Sequence, residues 1–295
     1  MSYLNYYHHT PEAFDANISA YFDAGSSMET FIDTCMRYSL EAGGKRLRPL
    51  LLLEFCTAYG GKDEDAYPFA MAIEMIHTYS LIHDDLPCMD DDKLRRGKPT
   101  NHVVYGEDMA VLAGDGLLNT AAELMAHAAM TSRNSERALM AMHTILKASG
   151  TRGMILGQVA DIKMQCETTD VAALDYINHY KTGKLLTASM TAGALIGGAE
   201  AEEVEKIERI GHKVGLLFQV VDDLLDLTGD VQKMGKEVHI DSRNDKVTYP
   251  LLLGISETQH RIEQLRDEIL AEITNLSIHM RFFEETIKFL TIRDH

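Results

Sequence analysis

Tryptophan is missing altogether, and proline occurs only 6 times and cysteine only 4 times in 295 residues. Each scarcity excludes something. The cysteines, Cys35, Cys56, Cys88 and Cys166, form no CxxC pair and lie far apart in sequence. That argues against a disulfide framework or a zinc site and for free thiols in a reducing cytoplasm. After Pro99 there is no proline until Pro250, and a mid-helix proline costs about 3 kcal/mol, so the interval is open to long helices. Basic residues are in deficit: 28 Lys plus Arg stand against 45 Asp plus Glu, for a formal net charge of −17. So acidic a surface repels nucleic acid and anionic membranes over most of its area. Any phosphate-bearing ligand must then be held by a local basic cluster, by metal ions, or by both. Long apolar runs are also lacking. The weakly polar stretch Leu185 to Ala199 is too short to span a bilayer, and the N-terminus has neither the basic nor the apolar region of a secretory signal. The expectation is a soluble, cytoplasmic chain with no membrane span and no nucleic-acid partner.

What is present is helical rhythm. Alternating β-branched runs are hard to find, whereas Leu216, Leu217, Val220, Val221, Leu224 and Leu225 recur at i, i+4, i+8, as do Ile262, Leu265, Ile269 and Ile273 in a charged segment. We expect about ten or more helices and no substantial sheet. Breaks are expected near Gly43-Gly44, Gly60-Gly61, Pro87 to Gly106, Gly114 to Gly116, Gly197-Gly198 and Thr228 to Pro250. No flexible linker or low-complexity segment appears, so one all-α domain over residues 1–295 is the economical reading.

Two aspartate clusters carry the chemistry. In FQVVDDLLDLTGD, Asp222 and Asp226 are four apart and share a helical face, and Asp223 and Asp226 are three apart. Like charges at that spacing destabilise a helix unless something positive compensates them. In SLIHDDLPCMDDDKLRRG, Asp84, Asp85 and Asp90 to Asp92 crowd together. On a continuous helix Asp90 would face about 240° away from Asp84. Pro87, however, disfavours a helical Leu86 and ends the helix, so that a short turn brings Asp90 back. Hard oxygen ligands in this number, without clustered His or Cys, suit Mg²⁺. The calcium-loop spacing D-x-D-x-D-G is missing. The bland alternative is a solvated acidic loop, but the paired Arg95-Arg96 that follow at once argue against it.

A further basic element is GGKRLRP, with Lys45 and Arg48 at the opening of a helix, where backbone N–H groups and cations make an anion site. Lys181, Lys236 and Lys246 add single cations, each by itself as readily solvated as functional. His77 lies two helical turns before Asp84 on roughly the same face. A core or capping role is its default, and the alignment makes a diphosphate contact the alternative.

Taken in order, GGKRLRP, HTYSLIHDDLPCMDDDKLRRGKPTNH, GQVADI, YKTGKLL, FQVVDDLLD and GK…DKVTYP resemble the trans-isoprenyl diphosphate synthases. The likeness is strongest to the bacterial-type farnesyl diphosphate synthases, with geranylgeranyl synthases second. It runs from about residue 40 to the C-terminus, and no core motif is missing. The resemblance implies an isoprenoid-synthase-type bundle of long antiparallel helices around a central cavity, usually a homodimer. It implies condensation of isopentenyl diphosphate with dimethylallyl or geranyl diphosphate, head to tail, to all-trans farnesyl diphosphate and pyrophosphate.

By the same resemblance Asp84 and Asp90 ligate two Mg²⁺ ions and Asp222 a third, with Asp85, Asp223 and Asp226 ligating or in support. Arg95, Lys181 and Lys236 contact the allylic diphosphate. Lys45, Arg48, His77 and Arg96 bind isopentenyl diphosphate. Gln219 and Thr182 line the place where the allylic cation develops, and Lys246 supports the closed state. Tyr79, five residues before Asp84 and so about 7.5 Å back along a helix, is the expected floor of the chain-length cavity, with Ser80 beside it. An aromatic there goes with a C15 product in the family.

Rival readings are a terpene cyclase, which needs no second diphosphate site at Lys45, Arg48 and Arg96, and a regulatory subunit, in which damaged aspartate motifs would be expected. A di-iron carboxylate bundle would show Glu-x-x-His pairs, which these motifs lack.

Overall fold

The computed structural model describes residues 8–22, 27–164, 170–228 and 247–292. Its helices are α1 (Pro11–Tyr21), α2 (Ser27–Leu40), α3 (Leu47–Ala58), α4 (Asp63–Asp84), α5 (Asn101–Tyr105), α6 (Glu107–Thr131), α7 (Ser135–Ser149), α8 (Met154–Met164), α9 (Val171–Asn178), α10 (Lys184–Gly197), α11 (Ala201–Thr228), α12 (Tyr249–Leu253), α13 (Ile255–Ile273) and α14 (Arg281–Ile292). Extended structure among the described residues is limited to a two-residue hairpin, β1 (Leu94–Arg95) with β2 (Lys98–Pro99). The fold is all-α, as the helical spacing of the sequence led us to expect.

Two hydrophobic clusters build the core, one around α4 and α6, the other around α11, α13 and α14. Helices α3 and α10 belong to both. Leu52, Leu53 and Cys56 of α3 face the first cluster, and Leu50, Leu51 and Phe55 the second. Such all-round burial is what an apolar helix without a polar face requires. The two central helices cross closely because Gly193 has no Cβ, which would fall 2.1 Å from the carbonyl oxygen of Leu52.

Most of the expected breaks are present, at Gly43-Gly44, Gly60-Gly61, after Asp84 and at Gly198. The one at Gly114 to Gly116 is not: α6 runs through it. Those glycines make room for neighbours. A Cβ on Gly114 would meet the His83 ring at 2.1 Å, and one on Gly116 would meet Met36 Sδ at 2.7 Å. Within Pro87 to Gly106 the hairpin and α5 form a structured bridge, docked where the Asn101 side chain donates to the Cys35 carbonyl at 2.8 Å and to Ser39 Oγ at 2.9 Å. Cys35, Cys56 and Cys88 are free thiols, and Cys166 lies outside the described residues. No helix among the described residues is long and apolar enough to cross a membrane.

Candidate active site

Asp84 is the last residue of α4 and Asp85 caps its C-terminus. A tight turn follows at Pro87, in which the Asp90 N–H donates to the Asp84 carbonyl at 2.8 Å and the Met89 N–H to the Leu86 carbonyl at 2.8 Å. The turn returns the backbone of Asp90 to Asp84, as the helix break at Pro87 requires. The hairpin then presents Arg95. Its Nε donates to both oxygens of Asp85, at 2.7 and 2.9 Å, and its Nη2 lies 3.3 Å from Asp92 Oδ2. Asp85 is buried and so serves to orient this guanidinium.

Arg96 adopts the left-handed region, φ 54°. Its Nη1 donates to the Gly43 carbonyl. Gly44 is required beneath it, because a Cβ there would fall 2.7 Å from the guanidinium carbon. The loop at Gly43–Arg46 and the Arg95-Arg96 corner are thereby joined. Between Lys45 and Arg48, Arg46 carries no ligand-facing role: it is buried, with bonds to Asp15 at 2.7 Å, Glu74 at 2.6 Å and the Leu40 carbonyl at 2.6 Å. It anchors the loop from which exposed Lys45 projects, while Arg48 sits in the first turn of α3.

Arg48 Nε is buried without a hydrogen-bond partner among the described residues. Burial lowers its pKa, partly offset by Glu74, while the Arg96 charge lowers it further. His77 is held well below its usual pKa by burial and then by Arg48, Arg96, Arg95 and Arg46. A neutral imidazole among four guanidiniums marks a cluster lacking an anion.

On the other wall Lys181 and Thr182 stand in a single π-helical turn, His179–Gly183, between α9 and α10. Such turns redirect side chains and are frequent at functional sites. Gly157 of α8 allows the close approach, since a Cβ there would fall 2.1 Å from the Lys181 nitrogen. Lys181 Nζ lies 2.5 Å from Asp161 Oδ2. Burial opposes its charge, but Asp161, Asp84 and Asp90 outweigh burial and raise its pKa. Thr182 Oγ1 donates to Gln219 Oε1 at 3.2 Å, Gln219 Nε2 donates to Asp223 Oδ1 at 2.9 Å, and Asp223 Oδ2 accepts the Tyr249 N–H at 3.1 Å. This relay ties the second aspartate cluster on α11 to the π-helical turn. Asp222 is half-buried and Asp226 buried. Lys236 and Lys246 lie outside the described residues.

Parts of these walls line a cavity of about 460 Å³, with Arg48, His77, Asp84, Lys181 and Thr182 among its polar residues, whereas Lys45, Asp90, Arg95, Arg96, Gln219 and Asp222 are not in its lining. Its apolar lining includes Met89, Leu118, Met154, Ile155 and Ile162. Tyr79 and Ser80 also line it. The Tyr79 ring is nearly buried and stands edge-on to His83 at 5.8 Å. Two residues with no assigned role in the sequence reading emerge here. Asp161 holds Lys181, and Gln158 lines the cavity with its Nε2 buried and unpartnered among the described residues. Their spacing of three in GQVADI, one face of α8, was the available signal.

The donor set fits a hard divalent cation. Burial raises Asp84 to about 6 against Lys181 and Arg95, with Asp90 and Asp85 raising it further, the condition of a carboxylate cluster lacking positive charge. Among the described residues no group of three or more Asp, Glu, His or Cys side chains is placed to hold a metal ion without further ligands. An open set of oxygens suits Mg²⁺, which keeps waters and shares phosphate oxygens.

A polyprenyl synthetase family model matches residues 29–282. The farnesyl diphosphate synthase of Bacillus subtilis is 45% identical over 260 residues, covering 88% of this chain and 88% of that protein. The chloroplastic heterodimeric geranylgeranyl pyrophosphate synthase large subunit 1 of Arabidopsis thaliana is 48% identical over 247 residues, covering 81% of this chain and 67% of that protein. Among solved structures, the geranyltransferase of Helicobacter pylori complexed with magnesium and isoprenyl diphosphate superposes with a TM-score of 0.85 at 32% identity, covering 98% of this chain and 96% of that one.

Proposed function

This chain belongs to the polyprenyl synthetase family, and from that premise we propose that it is a Mg²⁺-dependent trans-prenyltransferase. It condenses isopentenyl diphosphate with dimethylallyl or geranyl diphosphate and makes all-trans farnesyl diphosphate. The observation that carries this reading is the single cavity in which Arg48 and His77, Asp84 and Lys181, and Tyr79 all meet.

Lys45, Arg48, His77 and Arg96 hold the diphosphate of isopentenyl diphosphate; the unpartnered Arg48 Nε and neutral His77 are the donors awaiting it. Lys181, fixed by Asp161, and Arg95, fixed by Asp85, take the allylic diphosphate, with Lys236 expected beside them and Lys246 supporting closure. Asp84, Asp90 and Asp222 would hold three Mg²⁺ ions, aided by Asp85, Asp223 and Asp226. When bound, the ions neutralise diphosphate oxygens and stabilise departing pyrophosphate. The Thr182 and Gln219 oxygens, oriented by Asp223, face the carbon where positive charge develops. The double bond of isopentenyl diphosphate, held close and aligned, attacks that carbon. A proton then passes to pyrophosphate, leaving a chain five carbons longer.

The runner-up is a geranylgeranyl synthase. Identity separates the two weakly, at 45% and 48%, whereas the buried Tyr79 ring in the cavity supports the shorter product. The exposed apolar residues Val103, Val104, Val111 and Leu112 support a homodimer, and the free thiols a reducing, cytoplasmic location.

The test is incubation with labelled isopentenyl diphosphate, Mg²⁺ and each of dimethylallyl, geranyl and farnesyl diphosphate. Extension of the first two to C15 is expected. No extended product at all would overturn the class, and a C20 product would overturn the assignment to farnesyl alone. Asp84→Ala should lower turnover by several orders of magnitude.

A further inference from the structure

A second cavity, about 370 Å³, opens between α7, α10 and α11, on residues to which none of the roles above is given. Lys147, Arg152 and Lys184 line it against one carboxylate, Glu208. In a chain of 45 acidic and 28 basic residues, that balance runs opposite to the whole. Among the described residues none of these three cations makes an ion pair within 4.0 Å. Lys184 stands instead 5.5 Å from the Tyr180 ring centroid. Burial lowers its pKa, Glu208 opposes that and Lys147 adds to it.

An independent observation comes from Thr187. It lines the same cavity, is 6% exposed, and its Oγ1 is buried with no hydrogen-bond partner among the described residues. A buried hydroxyl without a partner is uncommon in a folded protein and points to a missing polar group. The rest of the lining is apolar at Ala188, Leu195 and Val204.

We propose that this cavity is a second anion site, which takes the phosphate of a small phosphorylated molecule on Lys147, Arg152, Lys184 and the Thr187 hydroxyl, and its short apolar body on Ala188, Leu195 and Val204. Its position gives it a line to the reaction centre. His212 lines the cavity, and its Nδ1 lies 3.0 Å from Nδ1 of His179, with the rings stacked at 4.4 Å. His179 begins the π-helical turn that carries Lys181 and Thr182. The site is independent of the proposed prenyl transfer, because binding there can be read without turnover.

Because the chain has no tryptophan, one introduced at Met140, which is 47% exposed and lines the cavity, reports on this site alone. The probe is n-butyl phosphate, titrated without Mg²⁺ or substrates. A saturable emission change is expected in M140W, with its midpoint weakened at least tenfold in M140W/K147Q/R152Q. Butyrate, which carries the apolar body without phosphate, should bind at least tenfold more weakly. No response, an unchanged midpoint in the triple variant, or equal binding of butyrate would each overturn the proposal. Thermal shifts of tryptophan-free wild type and K147Q/R152Q with the same probe give a second reading. Phosphate bound at the active site stabilises both proteins alike, so a larger shift in wild type supports the site and equal shifts overturn it.

Discussion

At Tyr79 one ring lines the cavity and is the floor we propose for the growing hydrocarbon. The residue is 7% exposed and lies on the helix that ends at Asp84, so its truncation opens space along the cavity rather than at the diphosphate end. Tyr79→Ala is expected to move the main product from C15 to C20 or longer, read by chromatography of the dephosphorylated alcohols; an unchanged product would place the floor elsewhere. Asp161 is a positioning residue of a different kind. It reaches Lys181 by a 2.5 Å contact, and charge-assisted hydrogen bonds contribute about 1.5–3 kcal/mol. Asp161→Asn should therefore raise KM for the allylic diphosphate on the order of tenfold or more. KM for isopentenyl diphosphate and the melting temperature should hardly move, whereas a purely structural role would lower the melting temperature and leave both KM values alone.

At the scale of elements, the π-helical turn at His179–Gly183 depends on two close approaches, Gly157 against the Lys181 backbone and Gly215 against Gly183, where a Cβ would fall 2.5 Å from the Gly183 Cα. Neither contact involves a flexible side chain that could move aside. Gly157→Ala should cost about 1–3 kcal/mol, the usual range for overpacking, seen as a lower denaturation midpoint. It should also reduce kcat, because relief requires moving the turn that carries Lys181 and Thr182. Wild-type kcat in the variant would mean that the turn absorbs the methyl group without displacing those side chains.

At the scale of the whole molecule, Glu203 links three distant segments. Its carboxylate accepts from Tyr59 OH at 2.9 Å, from the Ser277 N–H and hydroxyl at 2.8 Å each, and from Lys206 at 2.9 Å. Burial would raise its pKa, but Lys206, Ser277 and Tyr59 outweigh burial and hold it at about 2. A depressed carboxylate pKa contributes stability above the unfolded value of 4.5, lost as the pH falls from there towards 2. Glu203→Gln should therefore be less stable than wild type at neutral pH, and the difference should shrink across that interval in denaturation curves. A constant difference would assign Glu203 to packing. The carboxylates proposed to hold metal stand at and just after the end of α4 and on α11, whereas the two clusters that build the core consist of apolar side chains. Chelation should accordingly abolish turnover reversibly while leaving the helical circular-dichroism signal intact.

Helix content, the break at Pro87 and the pairing of Asp222 with Asp226 were legible in the sequence, because they depend on neighbours within about one or two turns. The same reading misjudged Gly114 to Gly116 for a related reason. A glycine that ends a helix and one that admits a neighbouring ring look alike until His83 and Met36 are in place. The sequence by itself determined an all-α chain with two carboxylate clusters and too few cations to hold a polyanion anywhere but at a focused site. Only the tertiary structure decided that Arg96 lies over Gly43 and Gly44, that Asp161 holds Lys181, that Arg46 is an anchor, and that Thr182 reaches Gln219. Each of those contacts joins different helices or loops, so it is set by how the two hydrophobic clusters pack, which no local spacing encodes.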